Sequence, residues 1–198
     1  LPPTTPGPRV QQESPPRLAD YGRIPIAFEV NEILDVSTGA DGRFELTPRR
    51  LAASYVKDYD AISERPEDWP RRFDTSNWAF FSALAAGERI GGVAVAWRTP
   101  QLDMLEGRGD RAVLWDIRVA PSSRGHGVGS ALFRAATAWA ARRGCRQLMV
   151  ETQNSNAAAC RFYARQGCVL LAANRGAYVE LPDEIQLLWY KELEESRQ

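Results

Sequence analysis

Cysteine, histidine and long apolar runs are scarce in this 198-residue chain, and its formal net charge is zero. The three cysteines, Cys145, Cys160 and Cys168, are odd in number and lack the paired spacing of a zinc site, and the single histidine is His126. No metal site is therefore expected, and the thiols are expected free, as in a reducing cytosol. No apolar run reaches the roughly 18 to 20 residues of a membrane span, and the start of the chain lacks the apolar stretch of a signal peptide. A soluble cytoplasmic protein without a membrane partner is the expectation. The 25 basic and 25 acidic side chains cancel, which argues against a nucleic-acid surface built on bulk charge. The length suits one well-buried core better than two.

Six prolines fall within the first 16 positions, with few apolar side chains among them. Residues 1–23 therefore read as a flexible leader, and residues 24–198 as a single domain. Residues 26–34 suit a first strand. Thr47 and Pro48 have the character of a helix start, predicting a helix to about Lys57. Residues 58–70 have no period and two prolines, and read as a long loop with room for a short helix. Two apolar runs, 78–84 and 90–97, flank Ala86-Gly87-Glu88 and predict an antiparallel hairpin.

A strand over 113–119 is followed by Pro-Ser-Ser-Arg-Gly-His-Gly-Val-Gly-Ser, residues 121–130. Beyond it, Leu132, Ala135, Ala136, Trp139 and Ala140 recur at helical spacing, with Gly144 as a stop, and a strand over 147–152 follows. This is one βαβ unit, with parallel strands and a right-handed crossover. A shorter helix from Asn156 to Gly167 and strands over 168–172 and 185–190 complete the pattern.

A glycine loop that opens a helix presents unpaired amides and the positive end of the helix dipole to an anion, and phosphate is its usual guest. Three phosphate-binding patterns compete for it. A GxxxxGK[ST] loop is excluded, because no lysine stands between Lys57 and Lys191. A dinucleotide fingerprint fails at its sixth position, which is Ser130 counted from Gly125 and Leu132 counted from Gly127. The pattern Arg-x-x-Gly-x-Gly is satisfied by Arg124, Gly127 and Gly129.

With that loop and with Asn156, Ala159, Phe162, Tyr163 and Gly167 in the pattern N-x-x-A-x-x-F-Y-x-x-x-G, the sequence resembles the GNAT superfamily of N-acetyltransferases. The segments Glu151-Thr-Gln-Asn-Ser-Asn156 and 180–190 are similar to those of streptothricin acetyltransferases, which acetylate an amine of an antibiotic. The resemblance implies an α/β (α+β) fold: a central mixed, mostly antiparallel sheet with a splayed parallel strand pair, flanked by helices. It implies acetyl-CoA as acyl donor, no metal, and direct attack by a primary amine of a small molecule in a ternary complex. A non-catalytic acyl-CoA sensor or interaction module, and acetylation of a protein or peptide amine, are the alternatives. Dimers are frequent in the family, so a homodimer is a further expectation.

For the cofactor, the resemblance implies backbone contacts from Ile117, Arg118 and Val119, and a pyrophosphate grip by Arg124 and the amides of Gly125, His126, Gly127, Val128, Gly129 and Ser130. Asn156 and Ala159 would meet the pantetheine arm. Tyr163 would protonate the leaving thiolate, and Asp116 and Glu151 are the candidate bases. Arg118, two residues from Asp116 and so on the same strand face, offers a salt bridge as the alternative role for Asp116. The acidic residues Asp58, Asp60, Glu64, Glu67 and Asp68 are either a site that draws a cationic acceptor or a solvated face.

Overall fold

The computed structural model describes residues 7–194. Seven of its nine strands form one sheet: β1 (Arg9–Glu13), β4 (Ala79–Ala85), β5 (Glu88–Trp97), β6 (Arg111–Val119), β7 (Gln147–Gln153), β9 (Ile185–Glu192) and β8 (Val169–Arg175), in that spatial order. All neighbours are antiparallel except β6 and β7. Strands β2 (Phe28–Thr38) and β3 (Phe44–Lys57) make a separate two-stranded sheet. The α-helices among the described residues are α1 (Leu18–Gly22), α2 (Tyr59–Ile62), α3 (Trp69–Arg72), α4 (Val128–Arg142) and α5 (Ala157–Arg165). The sheet, its parallel pair and the flanking helices are those of the GNAT fold that the sequence implied.

Alternation along the central strands sorts two cores onto the two faces. Val93, Val95 and Trp97 on β5, with Ala112 and Leu114 on β6 and Leu148 and Val150 on β7, pack against Leu132, Phe133, Ala136 and Trp139 of α4. Ala94, Ala96, Val113 and Met149 point the other way, into a cluster with Tyr21, Trp69, Phe73, Trp78 and Phe80. Both central strands of the βαβ unit are thus covered on both sides, which is why they read as near-continuous apolar runs.

The expected leader is corrected from Arg9 onward. Strand β1 pairs with β4 from Arg9↔Leu84 to Glu13↔Phe80, and Glu13 forms a buried ion pair with Arg89. Tyr21 on α1 is 1 % exposed and packs edge-on to Trp69, with ring centroids 5.8 Å apart. One aromatic anchor and one edge strand are enough to order a proline-rich segment, because the prolines lie outside the paired residues. Residues 1–6 of the expected leader lie outside the described residues.

The helix expected from Thr47 is strand β3, paired with β2 from Thr38↔Phe44 to Phe28↔Lys57 with an irregularity between Val30 and Glu32. Tertiary pairing overrides the local signal, and Pro48 is tolerated because β3 has a partner on one side only. The expected loop over 58–70, which left room for a short helix, carries the single-turn α2, a 3-10 turn over Pro66–Asp68, and the start of α3.

Candidate active site

Strands β6 and β7 pair only from Arg111↔Gln147 to Leu114↔Val150. At that point the register of β6 against β5 slips between Leu114 and Asp116, so that Trp115 bulges out. A bulge bends its strand. From Asp116 to Val119, β6 keeps β5 on one side and has no strand on the other, while β7 keeps β9. The divergence opens a cleft of about 770 Å³ between the two strands.

The β6 side of the cleft ends in the glycine loop. Gly125 and Gly127 have φ of +78° and +79°, the left-handed region where a side chain is strained. A Cβ at Gly129 would lie 3.3 Å from the Phe162 ring, so glycine there lets α4 and α5 approach. Helix α4 begins at Val128, and Ala131 donates its amide to the Gly127 carbonyl as the first turn closes. The amides before it are the unpaired donors of a helix start, in a fifteen-residue helix that carries no acidic residue in its first turn. Arg124 lies along the loop, its Nε donating to the Val119 carbonyl at 3.1 Å. Arg124, Gly125, Gly127, Gly129 and Ser130 line the cleft. His126 is exposed, and the Val128 side chain is buried in the core, so these two could offer the cleft only their backbone amides.

Helix α5 supplies the floor. Asn156 caps it, its Oδ1 accepting from the Ala159 amide at 3.1 Å, and both residues line the cleft. Tyr163 is 4 % exposed, packs against Phe133 and Phe162, and lines the cleft, with no hydrogen bond to its hydroxyl among the described residues. Burial first, then the carboxylate of Asp116, pushes its pKa well above the ordinary tyrosine value. The hydroxyl is therefore a protonated donor at neutral pH.

Of the two candidate bases, Asp116 is committed elsewhere. Its Oδ1 accepts from the Tyr21 hydroxyl at 2.6 Å and from Arg118 Nε at 3.0 Å, and its Oδ2 accepts from Arg118 Nη2 at 3.0 Å. Asp60 completes the cluster, receiving Arg118 Nη1 and Nη2 at 2.6 and 2.8 Å. Burial works against the Arg118 charge, and the two carboxylates outweigh it, holding the guanidinium above its usual pKa. The salt bridge offered by the i, i+2 spacing is thus formed, and Asp116 holds Arg118.

Glu151 differs. Its two oxygens accept from neutral donors, the Tyr178 hydroxyl at 2.7 Å and Gln186 Nε2 at 2.8 Å. No ion pair forms to it among the described residues, so its charge faces the cleft it lines. Gln153 Nε2 donates to the Tyr178 hydroxyl at 2.9 Å, and its Oε1 accepts from the Tyr59 hydroxyl. Phe28 and Tyr59, with ring centroids 5.8 Å apart, add an aromatic wall. The β7 side therefore joins a carboxylate to aromatic faces, which is an environment for an ammonium group.

Phe28, Tyr59, Gln153 and Tyr178 have no motif of their own. Only Gln153, inside the Glu-Thr-Gln-Asn run, carried a signal. The expected acidic cluster does not converge on the cleft. Asp60 holds Arg118, Asp58 caps α2, and Glu64, Glu67 and Asp68 pair with Arg72, Arg65 and Arg71. That face is largely neutralised. Among the described residues no group of three or more His, Cys, Asp or Glu side chains is placed to hold a metal ion, and no helix is long and apolar enough to cross a membrane.

Residues 49–168 match the acetyltransferase (GNAT) family, more than half of the chain. The chain belongs to that family. This GNAT acetyltransferase is 40 % identical over 81 residues to streptothricin acetyltransferase A of Bacillus subtilis (strain 168), a stretch covering 40 % of this chain and 47 % of that enzyme. It is 29 % identical over 166 residues to a streptothricin acetyltransferase of Escherichia coli, covering 82 % of this chain and 84 % of that one. Among solved structures, a protein of Bacillus anthracis str. Ames assigned as a streptothricin acetyltransferase, in complex with acetyl coenzyme A, superposes with a TM-score of 0.75 at 26 % identity. The superposition covers 94 % of this chain and 100 % of that one. The relatives named here are streptothricin acetyltransferases by their descriptions, and the motif likeness around Glu151 and Asn156 agrees with them.

Proposed function

We propose that this acetyltransferase moves the acetyl group of acetyl-CoA to a primary amine of a small cationic molecule of the streptothricin kind, by direct attack in a ternary complex. The observation that carries the reading is the cleft itself. Its β6 side ends in an anion loop, its β7 side bears an unpaired carboxylate between aromatic rings, and the Tyr163 hydroxyl lies on the floor. The relatives that are streptothricin acetyltransferases, and the B. anthracis neighbour in complex with acetyl coenzyme A, support the same donor and the same class of acceptor.

The residues present suit that donor. Arg124 and the loop amides from Gly125 to Ser130 offer a guanidinium and a helix start to a diphosphate. The β6 edge turned away from β5, over Ile117, Arg118 and Val119, offers donors and acceptors to an amide-bearing arm as a neighbouring strand would, the Val119 carbonyl once Arg124 releases it. Asn156 and Ala159 border its path.

Glu151 attracts the acceptor's ammonium and takes its proton, freeing the nitrogen lone pair to add to the thioester carbon. Tyr163 donates its proton to the sulfur as the new C–N bond replaces the C–S bond, the second proton shed by the nitrogen restores the Tyr163 hydroxyl, and Glu151 passes the first to solvent, so that acetylated amine and free thiol leave. Asp116 serves by fixing Arg118. Cys160 takes no covalent part: burial pushes its thiol up to about 11, and its Sγ is engaged with the Thr152 hydroxyl at 3.5 Å.

A Tyr163→Phe variant keeps the ring against Phe133 and removes the proton donor. In a free-thiol release assay, kcat falls by about 100-fold while the KM for acetyl-CoA is unchanged, the size expected for loss of a general acid. Unchanged kcat would make Tyr163 a packing aromatic and the proposed proton path wrong.

A further inference from the structure

Helix α2 carries Tyr59 into the wall of the cleft, yet no apolar burial holds that helix down. It is a single turn without a buried residue, and residues 61–65 after Asp60 are all exposed. So short a helix is not stable by itself, and contacts with the rest of the fold must fix it. Ala61 and Ile62 face solvent. The polar contacts fall to the other two side chains: the Tyr59 hydroxyl donates to Gln153 Oε1, and Asp60 accepts from Arg118.

Asp60 is the stronger of these anchors. Its Oδ2 and Oδ1 accept from Arg118 Nη1 and Nη2 at 2.6 and 2.8 Å, a forked pair in which the Asp60 and Arg118 side chains are only 16 % and 2 % exposed. A planar guanidinium held at two points fixes direction as well as distance. Arg118 in turn cannot follow a wandering helix. Its Nε and Nη2 each donate to Asp116 at 3.0 Å, its Nη1 also reaches the Ile24 carbonyl at 3.3 Å, and Asp116 is itself held by the Tyr21 hydroxyl. Arg118 is thus a stationary point on β6, and Asp60 is the residue through which α2 grips it. Asp60 does not line the cleft, whereas its neighbour Tyr59 does.

We propose that Asp60 is a positioning residue for the acceptor: by locking α2 to Arg118 it holds the Tyr59 ring where an incoming ammonium meets it, and so sets the affinity for the amine without taking part in the transfer step. The inference rests on the proposed function for the identity of the acceptor. Both carboxylate oxygens of Asp60 face the guanidinium, so its effect on the amine passes through Tyr59 and not through direct attraction.

The test is the variant Asp60→Asn in the full chain, which keeps the shape of the side chain but leaves only one of its two atoms able to accept from Arg118. Hydrogen exchange reads the clamp without any substrate. The Ser63 amide, which closes the α2 turn on the Tyr59 carbonyl at 2.9 Å, is expected to exchange about tenfold faster, with the β6 amides unchanged. The Kd for streptothricin, titrated in the presence of coenzyme A, rises about tenfold, while the Kd for coenzyme A is unchanged and kcat with acetyl-CoA stays within about twofold. Asp60→Glu keeps the carboxylate and stays within about threefold of the wild type in the streptothricin Kd. Unchanged exchange at Ser63 would overturn the clamp. So would a parallel loss of affinity for streptothricin and coenzyme A, the mark of a merely structural residue, or an Asp60→Glu variant as weak as Asp60→Asn. Ser63 exchange decides the clamp even if the wild type does not bind streptothricin, a result that would strike the proposed function instead.

Discussion

Arg124 spends its hydrogen bonds on carbonyls, with Nε to Val119 at 3.1 Å and Nη2 to Ala27 at 3.3 Å. A neutral carbonyl is a weaker partner for a guanidinium than a diphosphate, so the side chain is poised to exchange partners at little cost. Arg124→Ala is expected to raise the Kd for acetyl-CoA about tenfold in a titration, the size of one charge-assisted hydrogen bond, and to leave the amine KM unchanged. An equal rise in both constants would mean that Arg124 shapes the whole cleft. Arg124 was legible because the loop's chemistry is contiguous: the arginine, the glycines and the helix start occupy ten residues in a row. Asp116 was harder to read. Its i, i+2 partner Arg118 was visible, but Tyr21, 95 residues away, and Asp60, 58 residues from Arg118, were not. Glu151 was visible as a carboxylate on the right strand, while Tyr178 and Gln186, which orient it, follow 27 and 35 residues later without a pattern to mark them.

The elements that frame the cleft divide in the same way. The βαβ unit and the β4–β5 hairpin were legible because each is local: apolar runs, turn residues and a helical stripe lie side by side in the sequence. Strands β1 and β3 were not, because each is decided by a distant or weakly marked partner. The segment that holds α1 is the sharper case. The Tyr21 ring lies so close to Gly92 that a Cβ there would sit 2.5 Å from it, and its hydroxyl reaches under β6 to Asp116. The N-terminal segment thus braces the bulged strand that opens the cleft. Tyr21→Ala is expected to cost about 3 to 5 kcal/mol, as a buried aromatic truncation does, and Tyr21→Phe about 1.5 to 3, the worth of one hydrogen bond to a charged group. Urea denaturation measures both. A flexible leader would leave the midpoint where it was in either variant.

Across the whole molecule, one divergence organises the function. The sheet is continuous and antiparallel on both flanks, so β5 and β9 hold β6 and β7 firmly while the two part from each other after Leu114 and Val150. Helices α4 and α5 pack on the face that carries the first core, and their N-termini deliver the anion loop and Asn156 to the opening. The aromatic second core braces the opposite face through Tyr21 and Trp115. The proposed donor side comes from two nearby stretches, 115–130 and 156–166, and the proposed acceptor side from β2, α2, β7 and Tyr178, which are far apart in the chain. That asymmetry is why the sequence spoke clearly of acetyl-CoA and said little about the amine. The most direct measurement is free-thiol release from acetyl-CoA by the purified chain across a panel of amines, with streptothricin, lysine, polyamines and aminoglycosides among them. Saturable release with at least one cationic small-molecule amine, and a product carrying the acetyl group on nitrogen, is the result expected. Saturable binding of acetyl-CoA with no thiol release on any amine would contradict the account.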